Sequence, residues 1–405
     1  MTEGPVRSTV PFALLSACMA MGYGVIFTIV GDFREAYGVT DAEVGLIIGV
    51  GFFAAVFSQV FIAPMADRGS ARKIMLAGIA LNVVGLLLMA AATSATVLLI
   101  GRIVSGLGIG AALPAVRRIV IVSDPDNLGQ NLGRLMAADV FGFAIGPAVS
   151  AITVSWLDLG LWSPFIVVAG LSVLTAIPVF GADAGESTDA PKQRLALDLL
   201  RNRSVLGAML LGSAAYLMIG TFDALWDVVH EDLDTPDLMA NLGITLFAIP
   251  LIVLGPFAGR LAQQFGPFWF AAAGLGVASV FMAIYGFLPT GLWIFAFAMG
   301  HAITDGFTFS ASGIAISMAV PEDRQSGAHG LMGATQALTA GIAASAIGAI
   351  YGTFGRAPAY VTCAIGMVVL VVTGMFLARD AWSGGAARRR ARAAGVDDLL
   401  GVSGG

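Results

Sequence analysis

The sequence predicts an all-α integral membrane protein of twelve transmembrane helices, arranged as two pseudo-symmetric six-helix bundles. Of its 405 residues, 58% are hydrophobic and only 12% are charged, too little polar surface to cover a soluble globule of this size. The apolar residues fall in long runs that short polar or proline-glycine segments separate. The chain is therefore expected to fold within a lipid bilayer.

The second half of the sequence repeats the first at a single offset of 196 residues, as in 263 − 67 = 196. The positions that align at this offset are Asp67 with Gln263, Asp41 with Asp237, Gly110 with Gly306, Leu135 with Leu331 and Met136 with Met332. Internal duplication of a hydrophobic unit is typical of secondary transporters, in which a substrate path runs between two related halves.

A helix needs about 20 apolar residues to cross the hydrocarbon of a bilayer, which sets the count of spans. The first run, residues 8–31, is longer than the core of a signal peptide and is predicted to be the first spanning helix. The FLPTG turn at 287–291 divides the ninth span from the tenth. The predicted spans are 9–31, 44–64, 74–93, 96–116, 135–155, 162–181, 205–227, 239–258, 268–287, 291–313, 328–351 and 358–378.

With this topology, basic residues divide unequally between the two sides of the membrane. One side holds 18 Lys and Arg and the other holds 2, while Arg102 lies within the membrane, which accounts for all 21 (18 + 2 + 1 = 21). Since the side richer in Lys and Arg is normally cytoplasmic, both termini are predicted to lie there, in an inner or plasma membrane.

The domain organisation follows from the spans. We predict an N-terminal six-helix bundle at 1–181, a cytoplasmic linker at 182–204, a C-terminal bundle at 205–380 and a disordered cytoplasmic tail at 381–405. The LALDLLRN portion of the linker has the pattern of an amphipathic surface helix.

The loop between the second and third spans, APMADRGSARK at 63–73, carries four charges, at Asp67, Arg68, Arg72 and Lys73. Together with the 6+6 repeat, it resembles the major facilitator superfamily, most closely the twelve-helix drug:proton antiporter branch. The resemblance covers the chain to about residue 380 and implies a charge clasp that holds the two halves together in one state. Ser70 departs from the family pattern. The alternative is that these charges only set the topology. The second-half copy has Gln263, so the clasp is expected mainly in the first half.

The fourth and fifth spans carry two further motifs of the family. GRIVSGLGIGAALP at 101–114 looks like its R-x-x-x-G-x-G pattern and places Arg102 roughly 10 Å deep, where a charge is costly and usually faces water or a partner. In the fifth span, Gly142, Gly146 and Pro147 match the core of the antiporter signature, without its usual paired glycines. They predict a bent, closely packed helix.

The seventh and tenth spans contain acids at helical spacing. Asp223 and Asp227 are four residues apart and share a helix face, as do His301 and Asp305. Neighbouring carboxylates repel when both are ionised, and a histidine beside a carboxylate suits a proton relay. We therefore take Asp223, His301, Asp305, Arg102 and Asp227 as candidates for proton coupling. The alternative for the tenth span is a hydrogen-bonded structural pair.

By the resemblance, spans one, four, seven and ten line a central cavity. A weaker prediction places Tyr23, Phe27, Phe222, Trp226 and Gln336 in its lining. His230 and His329 are expected at solvated positions. Asp139 is expected either to pair with Arg134 or the loop arginines, or to be a plain interfacial carboxylate.

These features predict a secondary active transporter that exports a small amphipathic molecule by proton-coupled alternating access. The expected partners are the substrate, protons and the bilayer, with no nucleic acid, no cofactor other than the proton gradient, no metal and a monomeric state. The alternatives are uptake or facilitated diffusion of a sugar or other polar metabolite, and a membrane receptor or enzyme. No nucleophile-base set or phosphate loop in the sequence supports an enzyme.

Overall fold

A computed structural model of the chain describes residues 9–38, 41–181 and 194–382. In this part the long elements are all helices, and ten of them are long and apolar enough to cross a membrane by length and composition. The helices are α1 Val10–Tyr37, α2 Asp41–Phe61, α3 Ala71–Ala90, α4 Ala95–Ser123, α5 Leu128–Ser150, α6 Ser163–Phe180, α7 Arg203–Asp232, α8 Asp237–Phe265, α9 Pro267–Tyr285, α10 Gly291–Thr308, α11 Ala311–Ala319, α12 Gln325–Phe354, α13 Arg356–Leu377 and the short α14 Arg379–Trp382. The predicted all-α membrane fold is confirmed.

The packing of the two halves follows the sequence repeat. Asp41 begins α2, and Asp237, 196 residues later (237 − 41 = 196), begins α8. A Cβ added at Gly24 of α1 would lie 2.3 Å from a backbone oxygen of α5. Its repeat equivalent, Gly220 of α7, approaches α12 in the same way, with a Cβ 2.2 Å from a backbone oxygen. The two halves thus use equivalent helix contacts, in which glycine permits close approach.

The tenth span is interrupted, contrary to the continuous helix predicted at 291–313. It forms α10 and α11, which the residues Phe309 and Ser310 separate. The hydroxyl groups of Thr304 and Thr308 donate to backbone oxygens of His301 and Thr304 within the last turns of α10. Such side-chain bonds compete for the carbonyls of a helix and bend it.

The fifth span changes its helical form beyond the proline that was expected to bend it. Pro147 lies inside α5, and the chain continues beyond Ser150 as a wider π-helical segment, Ala151–Trp156. Proline cannot donate the backbone hydrogen bond of its position, and π-helical turns are a usual cause of kinks.

The linker and the tail are described only in part. Of the predicted linker 182–204, residues 182–193 lie outside the described residues, and so does the tail from 383 onward. The LALDLLRN portion forms a single short 3₁₀ segment, Ala196–Arg201, in which Ala196 and Leu199 are buried against the helices.

The described contacts between the two halves concentrate at one end of the molecule, which we call the gate end. There α5 packs on α8, α2 packs on α12, and the 3₁₀ segment Ala63–Arg68 lies between α2 and α3 against the start of α12. The gate end is the side that the Lys and Arg distribution assigns to the cytoplasm.

Candidate functional site

His301 and Asp305 form a buried pair on α10. The His301 Nε2 atom lies 3.5 Å from Asp305 Oδ1, and both side chains are at most 5% exposed. Asp305 Oδ2 is buried without a hydrogen-bond partner, and within the described residues the pair has no Lys or Arg within salt-bridge distance. An uncompensated carboxylate inside a membrane helix is costly and usually serves ion or proton movement.

Aromatic rings enclose His301. Its ring is stacked on Phe281 at 4.9 Å and contacts Phe222 and Phe247, while its Nδ1 atom shares a hydrogen bond of 3.0 Å with the hydroxyl of Tyr285. This packing leaves little rotational freedom for the ring. Tyr285 did not appear among the residues predicted from sequence, because it comes from another helix, α9, and no spacing rule connects it with α10.

The acids of α7 lie in a different setting. Asp223 is exposed, and it lies within electrostatic range of Tyr216. Asp227 belongs to the same helix four residues later, but its side chain lies outside the described residues. Of the predicted aromatic lining, Phe222 reaches the His301 cluster, while Trp226 is buried against His230 with ring centroids 4.4 Å apart. His230 is therefore buried, and the expectation of a solvated position for it is wrong because α7 extends to Asp232 and keeps it in the packed helix.

Arg102 is fully buried in α4 and lies apart from the acids of the second half. Its guanidinium carbon lies 4.4 Å from the ring centroid of Tyr23, and its Nε donates to the Ile47 carbonyl at 3.4 Å. Its two terminal nitrogens have no hydrogen-bond partner among the described residues. A cation stacked on an aromatic face is partly compensated, which explains how α4 holds this charge. Phe27, the other predicted residue of this region, has a side chain outside the described residues.

At the gate end, the carboxylate of Asp67 joins the two halves. Its two oxygens accept hydrogen bonds from the backbone N–H groups of Ser326 and Gly327, at 2.9 Å and 2.7 Å. These groups belong to the first turn of α12, where backbone donors lack partners within the helix and the helix dipole favours an anion. Arg118 of α4 completes the site as a buried ion pair with Asp67, at 3.2 Å.

The repeat equivalent of Asp67 makes the mirrored contact. Gln263 of α8 accepts from the backbone N–H of Gly129 at 2.7 Å, in the first turn of α5, and donates to the carbonyl of Asp126 at 3.2 Å. The second half thus caps a helix of the first half with a neutral amide. The sequence led us to place the clasp mainly in the first half; the structure gives both halves a contact, of which only one is charged.

The other charged residues of the predicted gate loop do not cross between the halves in the described contacts. Arg68 and Lys73 are exposed, and Arg72 lies over the ring of Phe180 at 5.7 Å. Arg118 was missed because it had been counted only as a topology-setting charge at the end of the fourth span.

The linker adds a further ion pair at the gate end. Asp198 accepts two hydrogen bonds from the Arg324 guanidinium, one of 2.9 Å and one of 2.5 Å, just before α12 begins. This partner lowers the pKa of the Asp198 carboxyl from its ordinary value. We call this pair the linker clasp. No sequence pattern connected two residues that are so far apart along the chain.

The antiporter-type motif of α5 packs against α1. A Cβ on Gly142 would lie 1.9 Å from the carbonyl oxygen of Ala17, and one on Gly146 would lie 2.7 Å from the backbone of Gly24. Any side chain at these positions would separate the helices. The motif therefore holds α5 close to α1, with Pro147 just before the π-helical segment.

A further ion pair lies within the N-terminal half, on the side that faces the C-terminal half. Arg117 of α4 donates a hydrogen bond to Asp139 of α5 at 3.0 Å, and each of the two side chains is 20% exposed. Tyr216 and His329 from the other half lie within electrostatic range of Arg117. His329 is buried with its Nε2 bonded to the hydroxyl of Ser317 at 2.7 Å, so the expectation that it is solvated is wrong, because α12 begins earlier than the predicted span.

Two remaining groups have structural settings. Gln336 is buried in α12 beside Gly212 of α7. Cys18 and Cys363 are buried free thiols, and among the described residues no group of three or more His, Cys, Asp or Glu could hold a metal ion.

Comparison with known proteins agrees with this architecture. A family model described as the Major Facilitator Superfamily matches residues 12–234 and 208–398. The quinolone resistance protein NorA of Staphylococcus aureus strain MRSA252 is 23% identical over 371 residues, which are 87% of this chain and 92% of that protein. With NorA of strain MSSA476 the alignment is shorter and covers 55% of the relative.

Two solved structures share the fold at low identity. The human organic anion transporter MFSD10 (TETRAN) superposes with a TM-score of 0.78 at 12% identity, covering 92% of this chain and all of that one. FucP in the outward conformation gives a TM-score of 0.73 at 18% identity, covering 92% of this chain and 99% of that one. Another structure describes FucP as a fucose:proton symporter of E. coli.

Proposed function

The chain belongs to the Major Facilitator Superfamily and is a membrane transporter rather than an enzyme, and from this premise we propose that it exports a small amphipathic molecule by proton-coupled alternating access. The observation that carries the proposal is the buried carboxylate of Asp305, which has His301 beside it and, among the described residues, an oxygen without a hydrogen-bond partner. A carboxylate in such a setting is stable when it holds a proton and costly when it does not, as a proton carrier requires.

Contacts at the gate end support alternating access. Asp67 and Gln263 each cap a helix of the opposite half, and both contacts require the two halves to be close at this end. A conformation that opens the gate end would break them together. The basic residues predict that the gate end is cytoplasmic, and with this orientation the structure corresponds to the outward-facing state. Both termini then lie in the cytoplasm, and the membrane is the inner membrane of the cell.

Similarity to NorA, a quinolone resistance protein, supports export of an amphipathic compound. The alternative is uptake of a polar metabolite, which the shared fold with a fucose:proton symporter keeps open. Arg102 and Asp223 are further candidates for coupling, Arg102 because it is buried in α4 without a carboxylate partner among the described residues, and Asp223 because it is exposed in α7. We propose that the transporter acts as a monomer and uses no cofactor besides the proton gradient.

The test uses purified protein in liposomes. A thermal-stabilisation screen over lipophilic cations, organic anions and sugars first identifies a transported compound. Flux is then measured with a pH gradient and, separately, as exchange without a gradient. Asp305→Asn and Asp223→Asn are compared with Asp158→Asn, which changes an exposed acid in a left-handed turn that asparagine tolerates.

We expect Asp305→Asn to abolish gradient-driven accumulation and to preserve exchange, while Asp158→Asn changes neither. Undiminished gradient-driven flux in the Asp305→Asn and Asp223→Asn double variant would reject both acids as carriers. The direction of accumulation relative to the acidic compartment separates antiport from symport, and a flux that ignores the gradient would favour facilitated diffusion.

A further inference from the structure

The carboxyl group of Asp305 is almost sealed from water. It is 4% exposed, and its Oδ2 atom has no hydrogen-bond partner in the described part of the chain. If Asp305 exchanges a proton in this conformation, the proton has to reach it through neighbouring side chains. The nearest group able to pass a proton is the Nε2 atom of His301, which lies 3.5 Å from Asp305 Oδ1 and makes no hydrogen bond within the described residues.

The opposite edge of the same ring is occupied. His301 Nδ1 and the Tyr285 hydroxyl are 3.0 Å apart, and Tyr285 is itself fully buried. Tyr285 is the last residue of α9, next to the turn at Gly286 and Phe287, whereas His301 and Asp305 lie deeper in α10. The three side chains therefore run from a helix end toward the interior, with one ring nitrogen facing each neighbour.

We propose that Tyr285 and His301 form a side-chain relay that delivers protons to Asp305 from the end of the molecule opposite the gate end. The proposal rests on the proposed function, in which Asp305 is a proton carrier, and it adds the route and a residue, Tyr285, to that role.

The transfer balances without any other reactant. The Tyr285 hydroxyl gives its proton to His301 Nδ1, the ring releases its Nε2 proton to the Asp305 carboxylate, and a proton from the far side restores the Tyr285 oxygen. The ring passes between its two neutral tautomers, so no net charge is left on it. The reverse sequence returns the proton to the far side and restores the starting tautomer of the ring, so the same relay loads and unloads Asp305.

The surroundings favour this route over ring rotation. Phe281 is stacked on the imidazole with an angle of 9° between the rings, and Phe222 and Phe247 contact its other sides. The remaining titratable group against Tyr285 in the described residues is Tyr360 of α13, with ring centroids 5.7 Å apart. The Tyr360 hydroxyl is buried and has no hydrogen-bond partner there, so it supplies a matched control.

The test follows the proton itself and needs no known substrate. Protein in liposomes receives a sudden pulse of protons from a photolysed caged acid, and time-resolved infrared spectroscopy records the carboxylic C=O band that Asp305→Asn removes. We expect Tyr285→Phe to slow the rise of this band by about ten-fold or more, since a positioned proton donor typically contributes at least that much, while the final amplitude is unchanged. Tyr360→Phe is expected to keep the wild-type rate.

A second variant guards against a folding defect in Tyr285→Phe. His301→Gln keeps an amide in place of the ring but cannot exchange tautomers, and we expect the same slowing. Wild-type rates in both variants, or equal slowing in Tyr360→Phe, would overturn the relay. If no band is lost in Asp305→Asn, the carrier assignment itself fails, and this result is distinct from failure of the relay.

Discussion

Replacing Asp67 with asparagine is expected to shift the molecule away from the conformation that is closed at the gate end. The carboxylate offers one oxygen to each of two N–H donors, those of Ser326 and Gly327. Asparagine keeps one acceptor oxygen and turns an NH₂ group toward the second donor. One charge-assisted hydrogen bond between the halves is then lost in the closed conformation alone.

The size of the shift follows from that bond. A hydrogen bond to a charged group contributes about 1.5 to 3 kcal/mol. Since roughly 1.4 kcal/mol corresponds to a factor of ten, the equilibrium between the two conformations should move by about 10-fold to 150-fold. The buried Arg118 loses its counter-ion as well, but that pair lies within one half and is lost in both conformations. It lowers overall stability more than it biases the equilibrium.

Distance measurement between spin labels gives the populations directly. Labels at Lys73 and Glu322, both exposed and on opposite halves of the gate end, report its opening. The two buried thiols, Cys18 and Cys363, are replaced by serine beforehand. Gln263→Ala serves as the comparison, because it removes two neutral hydrogen bonds between the halves, each of which contributes about 0.5 to 1.5 kcal/mol.

We expect a long-distance population in both variants that exceeds the one in the native protein. If Asp67→Asn leaves the distance distribution unchanged in a folded protein, the carboxylate does not hold the halves together, and the charges of this loop only set topology.

Two further predictions concern the gate end. Asp198→Asn should free the linker and speed trypsin cleavage at Arg201. In the native protein, the cleavage rate relative to that of an unfolded reference peptide should be the same at about pH 5.5 and about pH 7.5, because the lowered pKa of Asp198 keeps the linker clasp ionised at both. A relative rate that rises at about pH 5.5 would contradict this account. Gly259→Ala should also open the gate end, because its Cβ would lie 2.1 Å from the Gly129 carbonyl oxygen where α5 and α8 meet. Spin labels at Lys73 and Glu322 would detect the opening. An unchanged distance distribution would show that α5 and α8 accommodate the methyl group without separation of the halves.

The tyrosine relay and the gate end involve different parts of the second half. Asp305 lies on α10, whereas the N–H groups that Asp67 caps belong to α12. Proton binding in the one and closure in the other must be coupled if the transporter is proton-driven. Along the chain, the break between α10 and α11 at Phe309 and Ser310 comes after Asp305 and before α12.

The sequence alone determined the fold class, the repeat and the existence of a charged loop. Hydropathy suffices for these because a chain in lipid must satisfy its backbone hydrogen bonds within each span, which makes every helix a local property of about 20 residues. The duplication can be recognised by a single offset, which also pairs Gly24 with Gly220 in equivalent helix contacts.

Only the tertiary structure decided which ionisable groups meet. Asp67 accepts hydrogen bonds from Ser326 and Gly327, about 260 residues away along the chain. Likewise, Asp198 pairs with Arg324, and His301 bonds to Tyr285 on another helix. Spacing rules relate residues within one or two turns of the same helix, and they correctly paired His301 with Asp305. They do not apply to residues on different helices. The burial of His230 and His329 escaped them too, because burial depends on how far each helix extends and on what packs against it.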